Sequence, residues 1–499
     1  MSWKHFRSRL AAVLVVALVL LVGIPPDAAA RAGDAAEDLT ELSLEQLLEV
    51  EITTVSKRPE SAFRAAAAVF VLTAEDIRRS GARSLPDLLR LVPGVHVART
   101  NSSTWAISAR GFNGSAANKL QVLIDDRSVY TPLTSGVFWD VQGVSIEEID
   151  RIEVVRGPGA TLWGANAVNG VINVITKRAE EPGGYLSASV GTEERATLDA
   201  AWSGRLDSGA RYRVSARHIS RDAGELPAGG SARDDWDLSR GAFRLDGDRT
   251  KEVEWVLSGE IYDGSSDGVV NRTLPGPPFQ VSTLESTSLS GGHLLGRWQH
   301  ESDSGRDTSV RAYLERSDRQ IPEFFGEVRT TLDLEIQQTV TLKDRHQLVY
   351  GLGYRVSSDD VSNSFTISWD PRNRDFEIFS AFIQDEIRSA EGKFALTLGS
   401  KFEHHEFTGL EVQPNVRFAW ETTEATALWA SVSRAVRTPS RLDHDARFNA
   451  LVQPGEPPSI LALVGNDGFD AEELIAVEAG FRIRPSAGVQ VDLAAFHHS

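Results

Sequence analysis

Few residues of this sequence could carry out chemistry by themselves. Ser266 stands in a Gly264-Ser-Ser-Asp-Gly268 pattern like that around some hydrolase nucleophiles, but the residues after it, up to Pro275, cannot form the helix that such a serine needs. His404 and His405 lie between two glutamates, yet neighbouring side chains of a strand point to opposite faces, so they cannot bind one metal ion without a bulge. Cysteine, the H-E-x-x-H motif and the P-loop are all missing from the sequence. We therefore expect no enzymatic activity, no metal centre and no cofactor.

Composition narrows the class of protein further. With 499 residues the chain is too long for one ordinary domain, so at least two structural units are expected. A net charge of −18 argues against a nucleic-acid-binding protein, since phosphates are neutralised by a basic face. The mean hydropathy of −0.22 does not exclude a transmembrane barrel, whose strands alternate lipid-facing and lumen-facing residues.

The N-terminus has the organisation of an export signal. Basic residues precede an apolar run from Leu10 to Val22, and Ala28-Ala29-Ala30 offers a cleavage site. This run is shorter than the ~20 residues that a membrane-spanning helix needs, so residues 1–30 are predicted to be a signal peptide; the alternative is a retained anchor. Residues 31–51 follow as a flexible acidic lead-in.

Two regions follow the lead-in. Residues 52–180 have α+β character: Thr73-Ala-Glu-Asp76 and Ser84-Leu-Pro-Asp87 each open a short helix, and short β-branched runs follow. From residue 183 to 499 the sequence alternates apolar and polar residues in about 15 predicted strands, and short turns alternate with longer polar loops such as 264–286 and 437–472.

That alternation is typical of an antiparallel transmembrane β-barrel. Tryptophans near the predicted strand ends would form an interfacial girdle; they are Trp202, Trp236, Trp255, Trp298, Trp369, Trp420 and Trp429. A soluble β-sandwich is the alternative, since alternation alone does not identify the solvent.

Five ordered blocks of the α+β region resemble the plug domain of TonB-dependent outer-membrane receptors. They are Ala74-Glu-Asp-Ile-Arg78, residues 84–95, Ile107-Ser-Ala-Arg-Gly-Phe112, residues 122–130 and residues 152–176. Val432-Ser-Arg-Ala-Val-Arg-Thr-Pro-Ser440 and Glu478-Ala-Gly-Phe481 resemble barrel segments of the same family. The resemblance implies an α+β plug domain inside an antiparallel transmembrane β-barrel of about 22 strands.

The resemblance also implies a TonB box, an extended segment that adds as a strand to the periplasmic domain of TonB. The candidate is Glu51, Ile52, Thr53, Thr54, Val55 and Ser56, which we expect to be exposed. It departs from the usual box because Lys57 replaces a small residue, and an ordinary first strand of the plug is the alternative. The extra N-terminal signalling domain of some members is not expected, because only 21 residues separate Ala30 from Ile52.

Further site residues follow from the resemblance. Arg110, Glu153 and Arg156 would form ion pairs between plug and barrel wall, with Glu254 or Glu260 as acidic partners; ion pairs within the plug are the alternative. The ligand would contact outward loops of the plug and the loop that holds Asp443, His444, Asp445 and Arg447. The plug residues expected there are Asn101, Ser102, Ser103, Thr104, Thr131, Leu133, Thr134, Ser135 and Phe138.

The resemblance therefore implies TonB-energised uptake of a scarce ligand by a monomeric receptor in the outer membrane of a Gram-negative bacterium. Its partners would be TonB with the inner-membrane energising complex, outer-membrane lipid and a small chelate, most simply an iron–siderophore. Uptake of cobalamin, another metal chelate or an oligosaccharide, and a passive porin or adhesin, remain alternatives. Fifteen strands, no terminal aromatic residue and an end at His497-His498-Ser499 suggest a C-terminally truncated chain.

Overall fold

A computed structural model describes residues 50–499, except 112, 115–117, 180–181, 248–251, 303–304, 344 and 487–488. The predicted signal peptide and nearly all of the acidic lead-in lie outside the described residues. The described residues from Val50 to Ser499 belong to one unit.

An α+β domain, here called the inner domain, occupies residues 50–179. Its elements are β1 (Glu51–Ile52), β2 (Glu60–Ser61), β3 (Ala68–Thr73), α1 (Ala74–Ser80), α2 (Leu85–Leu89), β4 (Val95–Arg99), β5 (Trp105–Ala109), β6 (Leu120–Ile124), β7 (Arg127–Ser128), β8 (Tyr130–Thr131), β9 (Gly136–Val137), β10 (Ile149–Arg156), α3 (Ala160–Trp163) and β11 (Gly170–Thr176). Two 3₁₀ turns, Trp139–Val141 and Ile146–Glu148, precede β10.

Local sequence explains both of the early helices. Thr73 and Asp76 form a capping box at the start of α1, and Gly81 ends the helix with φ 71°. Ser84 caps α2 through the backbone N–H of Asp87. Both helices therefore begin where the sequence predicts.

A mixed sheet forms the centre of the inner domain. Its strand order is β3-β10-β11-β6-β7, in which β10 is antiparallel to β3 and β11, and β11 is parallel to β6. Apolar residues of this sheet pack against α1 and α2 in one core that includes Leu72, Ile77, Leu88, Ile152 and Ile172. The core gives β10 a rigid position, and β10 carries two of the predicted site residues, Glu153 and Arg156.

The second half of the chain is nearly all strand. Its elements are β12 (Gly183–Ser189), β13 (Ala196–Arg205), β14 (Arg211–Arg221), β15 (Trp236–Asp246), β16 (Val253–Thr273), β17 (Gln280–His300), β18 (Arg306–Ile321), β19 (Phe325–Leu342), β20 (His346–Ser362), β21 (Ile367–Trp369), β22 (Asn373–Arg388), β23 (Phe394–His405), β24 (Gly409–Thr423), β25 (Thr426–Arg437), α4 (Arg441–His444), β26 (Ala446–Gln453), β27 (Ser459–Val464), β28 (Glu472–Ser486) and β29 (Val489–His498).

Fifteen of these strands form one antiparallel sheet in chain order, here called the wall. It contains all of them except β21, β26 and β27, which form a separate three-stranded sheet. The short connections of the wall, such as 389–393 and 424–425, lie at its short-turn end, and the longer ones, such as 222–235 and 438–471, lie at its long-turn end.

Two predicted loops are wrong in their extent. Strands β16 and β17 pair without interruption from Val253 opposite His300 to Thr273 opposite Gln280, so only residues 274–279 remain of the loop predicted at 264–286. Residues 264–268 of β16 are Gly-Ser-Ser-Asp-Gly, which can form a ladder but lack the apolar face used to predict strands. The loop predicted at 437–472 likewise contains α4, β26 and β27.

The two faces of the wall differ in polarity. Leu186, Ile261 and Leu352 are exposed on the outer face, whereas the face toward the inner domain buries polar residues such as Asp199 and Gln413. This is the alternation that transmembrane strands require. Within the described residues, no helix is both long and apolar enough to cross a membrane.

The predicted tryptophan girdle is only partly present. Trp202, Trp255 and Trp420 are exposed on the wall. Trp236, Trp369 and Trp429 are buried, so the girdle prediction is wrong for these three. Trp429 and Trp236 face inward, against Arg482 and Trp105 respectively, and Trp369 packs in the three-stranded sheet.

Candidate functional site

The predicted TonB box, here called the coupling segment (residues 51–56), packs against the inner domain and is mostly buried. Ile52 pairs with Glu60 as part of the β1–β2 ladder. Ile52 and Val55 are buried in a small cluster with Val69 and Val155. Only Glu51 is exposed, so the expectation of an exposed segment is wrong in this conformation.

Glu153 holds the coupling segment by its backbone. One oxygen of its fully buried carboxylate accepts from the N–H groups of Thr53 and Thr54, both at 2.8 Å, and from the Thr54 hydroxyl at 2.6 Å. The other oxygen accepts from Arg151 Nε at 2.8 Å. Glu153 therefore binds within the inner domain and not to the wall, because β10 lies in the middle of the inner sheet.

The wall also contacts this part of the chain. Arg417 Nη1 donates to the Val55 carbonyl at 2.9 Å. Beyond the coupling segment, Lys57 pairs with Glu335 of β19 at 2.6 Å, and Arg58 pairs with Glu386 of β22 at 2.6 Å. Burial lowers the pKa of Lys57, and the Glu335 carboxylate opposes that effect.

Arg110 and Arg156 have different surroundings. Arg110, at φ 55°, pairs with Glu478 of β28 and lies 4.2 Å from the ring centroid of Phe496. Arg156 donates to the Pro93 carbonyl at 3.0 Å, and within the described part of the chain no carboxylate lies within 4.0 Å of it. The named acids have other arginines as partners: Glu254 pairs with Arg178, and Glu260 with Arg240 at 2.6 Å.

Several arginines of the wall donate to backbone carbonyls of the inner domain. The sequence motifs did not predict these contacts. Arg217 donates to the Arg83 carbonyl at 2.9 Å, and Arg221 to the Ser102 carbonyl at 2.9 Å. Arg482, which is 1% exposed, donates to the Ala65 carbonyl at 2.6 Å and the Phe63 carbonyl at 3.1 Å. Arg213, Arg217 and Arg221 lie on one face of β14 because they are an even number of residues apart. This spacing was the sequence feature from which their common inward orientation could have been predicted.

The first predicted ligand loop is attached to the wall. Ser102 is buried; its N–H donates to Asp234 at 2.9 Å, and its hydroxyl donates to the Asp222 carbonyl at 3.0 Å. The Ser103 hydroxyl lies 2.7 Å from the hydroxyl of Ser266. Ser266 itself lies within strand β16 and not at the start of a helix. Asn101 and Thr104 remain exposed at the tip of this loop.

The second predicted ligand loop packs under the three-stranded sheet. Leu133 is buried with Val361, Ile367, Trp369 and Ala446. Its carbonyl accepts from the Leu442 N–H at 2.9 Å. Thr131 is buried and accepts from Arg329. The three-stranded sheet therefore packs directly against the inner domain.

The rest of this loop is partly accessible. Thr134 and Phe138 are half-buried, and Phe138 lies 4.0 Å from the guanidinium of Arg319. Ser135 is buried at φ 55°.

The charged residues of the long 438–471 connection are largely engaged in structure. Ser440 is the N-cap of α4, and Asp443 completes its capping box. Asp445 accepts two hydrogen bonds from Arg374 at 2.9 Å each and one from Arg441 at 2.8 Å. His405 is buried beside Phe376, while His404 is exposed on the opposite face of β23. Among the described residues, no group of three potential metal ligands comes together.

A polar cavity of about 110 Å³ separates part of the inner domain from β18–β20 and β22–β24. The inner domain contributes Tyr130, Trp163 and Asn166. Charged side chains of the wall face it, and its lining nearest the short-turn end includes Arg311, Glu335 and Lys401.

Comparisons with known proteins match both halves of the chain. The TonB-dependent Receptor Plug Domain model matches residues 61–171, and the TonB dependent receptor-like beta-barrel model matches residues 182–498. The chain is 26% identical to the ferric enterobactin receptor of Pseudomonas aeruginosa, over 87% of this chain and 67% of that protein. It is 24% identical to the iron-regulated outer membrane virulence protein of Vibrio cholerae, over 90% of this chain and 68% of that protein.

The fold is shared with solved structures. The siderophore receptor PirA from Pseudomonas aeruginosa superposes with a TM-score of 0.65 at 20% identity, covering 86% of this chain and 74% of that one. A ferric enterobactin receptor (PfeA) variant from the same organism gives a TM-score of 0.70 at 20% identity, covering 87% and 71%. The vitamin B12 transporter BtuB of Vibrio cholerae is 31% identical, but over only 31% of this chain and 25% of that protein.

Proposed function

Because the chain belongs to the TonB-dependent receptor family, we propose that it binds a ferric siderophore at the outer membrane and imports it with energy delivered by TonB. Relatives that match most of the chain are named as ferric enterobactin and iron-regulated receptors, which supports an iron chelate as the substrate. The match to the B12 transporter is confined to about a third of the chain, so cobalamin is the weaker candidate. The inner domain packed against the wall argues against a passive porin.

The docked coupling segment carries this proposal. Its backbone is held by one carboxylate and its side chains fill a small cluster, so it can be released from the inner domain and extended for strand pairing with TonB. The short-turn end then faces the periplasm, and export requires residues 1–30 as a cleaved signal peptide. Residues 52–180 act as the plug, and residues 183–499 supply the barrel strands.

Ligand contacts belong to the opposite end. Asn101, Thr104, Thr134 and Phe138 keep accessible surface there, whereas Ser102, Ser103, Thr131, Leu133 and Ser135 have structural roles in the resting state. A chelate that displaces the three-stranded sheet would disturb Leu133 beneath it. This contact gives the ligand a direct route to the inner domain.

Uptake by cells that lack their own siderophore receptors tests the proposal. Deletion of residues 51–56, or Ile52→Pro, which removes a backbone N–H from the pairing strand, is expected to abolish uptake of iron from ferric enterobactin and leave binding intact. Arg64→Ala is the matched control, because the Arg64 side chain is half exposed and pairs with Glu421 at 3.3 Å, a contact of small expected energy.

Two results would contradict the proposal. Unchanged uptake after the deletion would show that transport is not coupled through this segment. Binding of cyanocobalamin without binding of any ferric siderophore would show that the assigned substrate class is wrong.

A further inference from the structure

We propose that Lys57 is a latch that closes the short-turn end of the internal cavity, so that withdrawal of this side chain from Glu335 opens a passage toward the periplasm. The inference rests on the proposed function and adds the step at which that passage opens.

The position of Lys57 is defined by four contacts. Its Nζ lies 2.6 Å from Glu335 Oε1, and it lies over the rings of Trp163 and Phe382 with centroid distances of 4.9 and 4.5 Å. The carbonyl of Lys57 accepts from Gln337 Nε2 at 3.2 Å. The side chain is only 6% exposed, so it is fixed between the inner domain and the wall.

These contacts lie at the boundary of the cavity. Glu335 and Trp163 both line it, and Glu335 is the lining residue of β19 nearest the short-turn end. Arg311, 3.8 Å from Glu335, occupies the same level on β18. Removal of the Lys57 ammonium would take away the closest partner of the half-buried Glu335 carboxylate, which water would then hydrate.

The latch is mechanically tied to the coupling segment. The Lys57 N–H donates to the Thr53 carbonyl at 2.8 Å, and Lys57 has φ 55°, a left-handed conformation that residues other than glycine rarely adopt. Extension of residues 51–56 breaks the Thr53 bond and relieves this conformation. The segment therefore cannot be drawn out far without moving Lys57 away from Glu335.

The size of the cavity limits what the latch alone achieves. The cavity of about 110 Å³ is small beside the pockets of about 300–1,000 Å³ that hold small-molecule ligands. A chelate needs a wider opening, which requires movement of the inner domain. Release of Lys57 is thus the first step, and its direct result is access of water and small solutes to the cavity.

A single-cysteine reporter tests this step without any transport measurement. The chain has no cysteine, and Ser380 lines the cavity on β22, so Ser380→Cys provides one internal thiol. The purified full chain in detergent micelles is treated with a small charged maleimide, and the labelling rate is compared in the backgrounds Lys57, Lys57→Met, Lys57→Arg and Arg58→Met. Arg58→Met is the matched control, because it removes a neighbouring charge and a 2.6 Å pair with Glu386, which does not line the cavity.

The latch predicts labelling faster by on the order of tenfold or more in Lys57→Met, as expected for loss of a charged hydrogen bond, and near the original rate in Lys57→Arg and Arg58→Met. An unchanged rate in Lys57→Met would overturn the proposal. Equally fast labelling in Arg58→Met would also overturn it, since general loosening would then suffice. Neither result depends on uptake, so failure of the latch and failure of the transport function are distinguishable.

Discussion

Replacing Glu153 with glutamine should release the coupling segment without unfolding the inner domain. The carboxylate accepts three bonds from Thr53 and Thr54 through one oxygen; through the other it accepts one from Arg151 and a longer one, at 3.4 Å, from the Thr53 hydroxyl. In glutamine the amide nitrogen would face Arg151 if the remaining oxygen kept the three segment bonds. That orientation loses the arginine bond and the charge assistance of the others.

The magnitude follows from these bonds. Hydrogen bonds to charged groups contribute about 1.5–3 kcal/mol, against about 0.5–1.5 kcal/mol for neutral ones, so three bonds that each lose about 1 kcal/mol weaken docking by about 2–3 kcal/mol. This corresponds to a rise of about 30- to 150-fold in the population of the released segment. Local opening controls exchange of the amides concerned, so hydrogen exchange measures this population directly.

Hydrogen–deuterium exchange of residues 51–58 is therefore the assay. Glu153→Gln should accelerate exchange of the Thr53, Thr54 and Lys57 amides by that factor and leave the amides of β11 unchanged. Glu147→Gln, which removes an exposed carboxylate from the same domain, is the control and should behave like the unmodified chain. Unchanged exchange at Thr53 and Thr54 would refute the claim that Glu153 holds the segment.

Two further substitutions test how the inner domain is attached to the wall and how the three-stranded sheet is packed. Arg482→Met leaves Asp492 and the carbonyls of Phe63, Ala65 and Ala67 without their donor and should destabilise the protein by about 3–5 kcal/mol, seen as a lower urea midpoint for unfolding. An unchanged midpoint would show that these contacts are dispensable. Trp369→Ala removes a buried ring from the cluster around Leu133 at a cost of about 3–5 kcal/mol and should speed proteolysis within residues 438–471; an unaltered digestion pattern would contradict the role of that cluster.

Much of the fold could be predicted because its signals are local. The caps of α1 and α2 depend on residues three positions apart, and alternation along each strand gave the fifteen strands of the wall. Alternation failed at the ends of β16 and β17, where both faces are polar beyond the apolar band. Strand pairing continued there because backbone hydrogen bonds do not require an apolar face.

The site was harder to predict because its contacts join distant parts of the chain. Glu153 lies 100 residues from Thr53, and Glu335 lies 278 residues from Lys57, so neither partner could be inferred from spacing. The motifs singled out residues 51–56 but did not predict that most of them are buried. The unusual residue at its end, Lys57, was the one local sign that the segment had an additional contact.

The bonds from wall arginines to backbone carbonyls have a consequence for evolutionary change. A carbonyl oxygen is present whatever amino acid occupies positions 63, 65, 83 or 102, so replacement of those side chains leaves these attachments in place. Loss of Arg482 removes several at once. The surface of the inner domain can therefore diversify during evolution while these arginines keep it attached to the wall, and the inner domain of a related protein could be grafted into this wall.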